Sequence, residues 1–64
     1  MASIIERDGE AFHHLIKARA ALRRAARETA EGLVQEDCEA ALVSVTKALE
    51  TCLDVIRAEL RGAA

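Results

Sequence analysis

Two histidines, two cysteines and one run of cations hold most of the chemistry that a chain of 64 residues such as this can offer. His13 and His14 stand close to Lys17, and Cys38 and Cys52 lie further along. Imidazole and thiolate together suit Zn(II) or Cu(I). His14 (or His13) with Cys52 is therefore a candidate metal pair, one that a second chain would have to complete. No C-x-x-C or H-x-x-x-H spacing accompanies it, so no metal or other cofactor is expected. An exposed imidazole followed one turn later by an ammonium can also receive a phosphoryl group. The imidazole is the nucleophile and the lysine meets the phosphoryl charge. The third possibility is anion binding. From Ala11 to Arg27 the chain has Lys17, Arg19, Arg23, Arg24 and Arg27 and no acid. His14, Lys17, Arg24 and Arg27 are the candidate contacts to phosphate, with the salt dependence that such contacts bring.

A simpler account of the same cations lies in the rest of the chain. From Leu33 to Arg61 there are six acids against Lys47, Arg57 and Arg61. A basic half and an acidic half attract as antiparallel neighbours. The overall charge is −2, so no global field draws the chain to nucleic acid. Arg24 with Glu28 and Arg27 with Glu31 are four apart, the spacing of ordinary helix-face pairs worth about 0.2–0.5 kcal/mol.

Enzymatic chemistry is not expected. There is no Gly-rich phosphate loop and no Ser/His/Asp constellation, and so short a chain does not enclose a cleft. No apolar run is long enough to cross a membrane. Glu6, Arg7 and Asp8 interrupt the apolar pair Ile4-Ile5, so a secretory leader is not expected either, and the location expected is cytoplasmic. A small-molecule substrate is not expected.

The elements that must position these side chains are two helices. Proline is absent, and Ala, Leu, Arg and Glu dominate. Ser3-Ile4-Ile5-Glu6 is a capping-box pattern. Helix 1 is expected over about 3–31, ended by Gly32 in a left-handed conformation. A turn follows at about 32–34, and helix 2 runs over about 35–61 until Gly62. The first turn of helix 2 would then carry Glu36, Asp37 and Glu39, which suit the positive end of the helix dipole. A turn centred near residue 33 places His14 level with Cys52 and Thr29 opposite Cys38. Both cysteines then sit on one helix, about 21 Å apart, and act as small buried hydrophobes.

The apolar spacing is heptad-like. Cys38, Leu42, Val45, Leu49, Cys52 and Ile56 form a seam in helix 2, flanked by Ala41, Ala48 and Val55. Ala11, Leu15, Ala18, Leu22, Ala25 and Thr29 step the same way in helix 1. Alanine at every seventh position there would allow close helix approach. The core expected from these steps contains Leu15, Ala18, Leu22, Ala25 and the helix 2 seam.

Both apolar faces are wider than one hairpin needs, and a hairpin alone has only a shallow core. The fold class expected is all-α: one antiparallel helical hairpin over residues 1–64 that assembles as a homodimeric four-helix bundle. Phe12, Leu15, Ile16, Leu22, Val45, Leu49, Cys52 and Ile56 are the candidate dimer-interface residues, with Phe12 and Ile16 serving the second interface.

Two short resemblances add expectations. His14-Leu15-Ile16-Lys17-Ala18-Arg19-Ala20 resembles the His-x-x-Lys-Gly-x-Ser/Ala box of histidine phosphotransfer domains, with Ala18 where the family has glycine. Those domains are four-helix bundles with a phosphorylated mid-helix histidine, which the resemblance would assign to His14. The chain length, with Cys38-Glu39 and Cys52-Leu53, resembles the Rop family of small plasmid copy-number regulators. Members of that family are dimers of helical hairpins. The resemblance implies RNA contact through helix 1, here by His14, Lys17, Arg24 and Arg27, although no aromatic lies on that exposed face.

The function expected first is a small non-enzymatic regulatory or adaptor protein that acts through helix–helix protein contacts. Its partners would be a second copy of itself and another protein. A Rop-like dimer that binds structured RNA is the alternative.

Overall fold

A computed structural model describes residues 3–63, with Ile4 and Ala63 described by their backbone. Met1, Ala2 and Ala64, part of the single domain expected over 1–64, lie outside the described residues. Two helices account for the described chain: α1 (Ile4–Glu28) and α2 (Gly32–Ala63). They form an all-helical hairpin. The molecule measures 49 × 18 × 13 Å. Its long dimension is that of α2 alone, since 32 residues at a 1.5 Å rise span about 48 Å. The helices therefore lie side by side.

Each helix end has a local cause. Ser3 caps α1: its Oγ accepts the Glu6 N–H at 3.1 Å, as the capping pattern requires. At the other end, Thr29 has left the helical region at φ −72°, ψ 140°, while its N–H still donates to the Ala25 carbonyl at 3.0 Å. Its hydroxyl oxygen accepts the Glu31 N–H at 3.1 Å and so fixes the turn. Glu31 then starts α2. Its carbonyl accepts the Gln35 N–H at 3.0 Å, and its carboxylate accepts the Leu33 N–H at 3.5 Å.

This turn corrects the boundaries read from the sequence. Helix 1 ends at Glu28 rather than Glu31, and the turn is 29–31 rather than 32–34. Gly32 is the first residue of α2 and has no positive φ, so it is not a left-handed cap. Side-chain oxygens of Thr29 and Glu31 do the punctuation that glycine was expected to do. Glu36 and Asp37 consequently sit beyond the first turn of α2, and Glu31 supplies the negative charge at its N-terminus. Gly62 lies inside α2 and does not end it.

The seam of α2 is the one expected. Cys38 and Leu49 are buried, at 9% and 5% exposure, and Leu42, Val45, Cys52 and Ile56 are half-buried. Ala41 and Ala48 are half-buried beside them, whereas Val55 is exposed. The seam of α1 is rotated. Its half-buried residues are Ile5, Asp8, Ala11, Phe12, Leu15, Arg19, Leu22, Ala26 and Thr29. Ala18 and Ala25, expected in the core, are exposed. The two phases share Ala11, Leu15, Leu22 and Thr29 and differ by a turn of about 50° about the helix axis. Turning the Ile5–Phe12 side inward covers more apolar area than turning in alanine methyl groups, and area sets the preference. Phe12 thus lies on the hairpin's own seam. The last turns of α2, from Arg57 to Gly62, are exposed throughout because α1 is too short to cover them.

Two outcomes test this packing by urea unfolding followed by circular dichroism. Leu49→Ala costs about 2–3 kcal/mol, whereas Val43→Ala, at a residue 72% exposed, stays within about 0.5 kcal/mol of the parent. Gly32→Ala is neutral or stabilising by about 0.5 kcal/mol, because a Cβ there meets nothing within 4 Å and φ is not positive. A left-handed Gly32 would instead make this substitution destabilising.

Candidate interaction surfaces

The seam faces divide the remaining surface into four parts: an outer face on each helix and two broad faces that span both. At 3.6 residues per turn, Lys17, Ala20, Arg24 and Arg27 fall on the side of α1 opposite its seam. All four are exposed. An open depression of about 510 Å³ runs along this outer face, lined by the charged Lys17, Arg24, Arg27 and Glu28 and by Ala20, Ala21 and Ala25. The structure thus brings three of the four candidate phosphate contacts together. His14, the fourth, is exposed but does not line the depression.

One of the broad faces carries a second open depression, of about 400 Å³, lined by Arg23 from α1 and by Leu42, Val43, Thr46, Lys47 and Glu50 from α2. Here cations and an acid from both helices surround an apolar floor. The basic stretch of α1 and the polar residues of α2 frame this hollow together.

The histidines do not converge on a thiol. The rings of His13 and His14 have centroids 6.2 Å apart and are tilted by 53°, and both are exposed. With the turn centred on Ala30, residues whose numbers sum to roughly 60 lie at one level. His14 is therefore level with the region of Thr46, and Cys52 with the region of Asp8. The expected level of His14 with Cys52, and of Thr29 with Cys38, is corrected by the earlier turn. Cys52 also lies on the seam of α2, whereas His14 lies off the seam of α1. Among the described residues no three His, Cys, Asp or Glu side chains come together as metal ligands. Cys38 and Cys52 are both free thiols. His14 and Lys17 are both exposed on α1, one turn apart, as the phosphotransfer-like box would require.

The expected dimer-interface residues divide between seam and surface. Leu15, Leu22, Val45, Leu49, Cys52, Ile56 and Phe12 line the seam within one chain. Ile16 is 37% exposed and stands beside it. Leu33, Val34, Val43, Val55 and Leu60 are exposed as well.

No protein-family model, curated protein or solved structure matches this chain. The short likenesses in the sequence are therefore carried by their own residues alone. No described helix is long and apolar enough to cross a membrane.

Sequence reasoning missed Asp8 and Arg19, which occupy seam positions between apolar neighbours. The signal was present in the run Ile5, Asp8, Phe12, Leu15, Arg19, Leu22, Ala26, which keeps heptad spacing once Phe12 is taken as inward. Arg19 is half-buried, and an arginine at such a position can cover apolar surface with its aliphatic stem while the guanidinium stays in water. Replacing it by leucine removes a charge from a half-buried position and adds apolar contact. Arg19→Leu is expected to raise stability by about 1 kcal/mol, and thus the melting temperature by about 4–8 °C, measured by thermal unfolding.

Proposed function

We propose that this chain is a small non-enzymatic regulatory or adaptor protein that works through helix–helix contacts, as a homodimeric four-helix bundle. The observation that carries the reading is the thinness of its core: only Cys38 and Leu49 are buried among the described residues. Large apolar side chains remain at the surface, Leu33 at 70% and Leu60 at 55% exposure. A hairpin of this kind gains most by placing its apolar surface against other helices. Each chain then contributes two helices to a shared core, and the remaining apolar and charged surface recognises another protein. Two free thiols fit a reducing compartment such as the cytoplasm.

Native mass spectrometry of the purified protein tests the assembly. The expected mass is about 14 kDa, twice the 6.9 kDa chain, with no added metal. A 6.9 kDa species alone at micromolar concentration would overturn the dimer.

A second reading has its own support. Lys17, Arg24 and Arg27 gather along one depression on the outer face of α1, which remains free in a four-helix bundle. That face suits the phosphates of structured RNA. If RNA is the ligand, a hairpin-loop RNA binds with an affinity that falls steeply with salt, and Lys17→Gln, Arg24→Gln and Arg27→Gln together abolish binding without loss of helicity. Absence of salt-sensitive binding in a folded dimer rejects the RNA reading and leaves the protein-contact reading intact.

A further inference from the structure

The dimer proposed above does not by itself say which face a second copy covers. The two broad faces of the hairpin differ in chemistry, and the packing assigns residues to each. Arg23 lines one hollow with Leu42 and Thr46, so the Arg23 flank of α1 and the Leu42–Thr46 flank of α2 share one broad face. At 100° per residue, Ala11 and Ala18 lie on the opposite flank of α1, and Ala41, Ala48 and Val55 on the opposite flank of α2. These residues therefore share the other broad face. The α1 part of that face has no charged residue between Glu10 and Glu28. The α2 part has none between Asp37 and Glu59. The Arg23 face, by contrast, carries Arg23, Lys47 and Glu50 around its hollow.

The exposed area agrees with a partner of this size. The chain exposes 5025 Å², whereas a compact chain of its mass exposes about 4000 Å². The excess, about 1000 Å², is close to the roughly 800 Å² per partner that a standard interface buries. The radius of gyration tells the same story: it is 14.8 Å, against about 11 Å for a compact chain of this length. Covering the charge-free face removes area from water without stripping a charge of its solvent.

Charge sets the orientation. Helix α1 holds six bases and four acids, and α2 holds three bases and six acids. Setting α1 of one copy beside α2 of the other gives every basic helix two acidic neighbours. A two-fold axis parallel to the helices achieves this and keeps all neighbouring helices antiparallel. It also brings both turns to the same end.

We propose that a second copy of this chain docks on the charge-free face marked by Ala18, Ala48 and Val55, with α1 against the partner's α2 and both turns at one end. The inference rests on the dimer reading and goes beyond it in naming the face and the orientation. Sedimentation and native mass spectrometry of four variants test the face. Ala18→Glu and Val55→Glu, both at positions exposed in the single hairpin, are expected to weaken the dimer about 100-fold or more while α-helical circular dichroism persists. Ala20→Glu on the outer face and Thr46→Glu on the Arg23 face leave it unchanged. A dimer lost with Thr46→Glu and kept with Ala18→Glu overturns the face but leaves the dimer standing. A parent chain that stays monomeric overturns both. A spin label carried at Ala30 by an unnatural amino acid tests the orientation by pulsed electron resonance. Turns at one end give a backbone separation of roughly 10 Å, one helix diameter, and so strong dipolar broadening with no long distance. Turns at opposite ends give one near the 49 Å length of the hairpin, and that distance would overturn the proposed orientation.

Discussion

Two parallel cylinders touch along one line, and a helical hairpin can bury only the side chains near it. That limit governs this chain. Leu49 and Cys38 alone reach burial among the described residues, while Leu42, Val45, Cys52 and Ile56 stop halfway. The same limit decides the phase of α1. One stripe must face inward, and the stripe containing Phe12 and Ile5 offers more area than the alanines on its flank. The cost of that choice is to carry Asp8 and Arg19 to the seam, where their charges need a path to water.

The turn shows how few atoms fix a hairpin. Thr29 stops α1 by turning its backbone extended and holding the Glu31 N–H with its hydroxyl. Glu31 starts α2 with its own carbonyl and carboxylate. Because these groups act earlier than Gly32, the antiparallel register moves by several residues. Any pairing of side chains across the hairpin moves with it, which is why His14 and Cys52 separate. Helix count, helix type and the α2 seam were legible because apolar spacing over long segments is robust to a local error. The turn was misread because a glycine was weighed above a threonine and a glutamate, whose side-chain oxygens satisfy helix ends equally well. The α1 seam was misread because alanines at every seventh position imitate a core stripe while offering little area.

The surfaces left by this packing separate by chemistry. The outer face of α1 is cationic and gathers Lys17, Arg24 and Arg27. One broad face mixes Arg23, Lys47 and Glu50 with apolar side chains. The other is free of charge along most of its length. A four-helix bundle built on the charge-free face leaves the two charged surfaces open to solvent, available to a protein or to a phosphate-bearing ligand. The residues first suspected of chemistry are thus distributed by the packing: the thiols toward the seam, and His14, Lys17, Arg24 and Arg27 toward water.

The most direct test of this account is the dependence of unfolding on protein concentration. If folding and association are coupled, the thermal midpoint rises steadily as the chain concentration increases over about a hundredfold range. A midpoint that does not move, in a chain that stays fully helical and monomeric, would show that the thin seam around Leu49 suffices alone and would contradict the claim that a second hairpin completes the core.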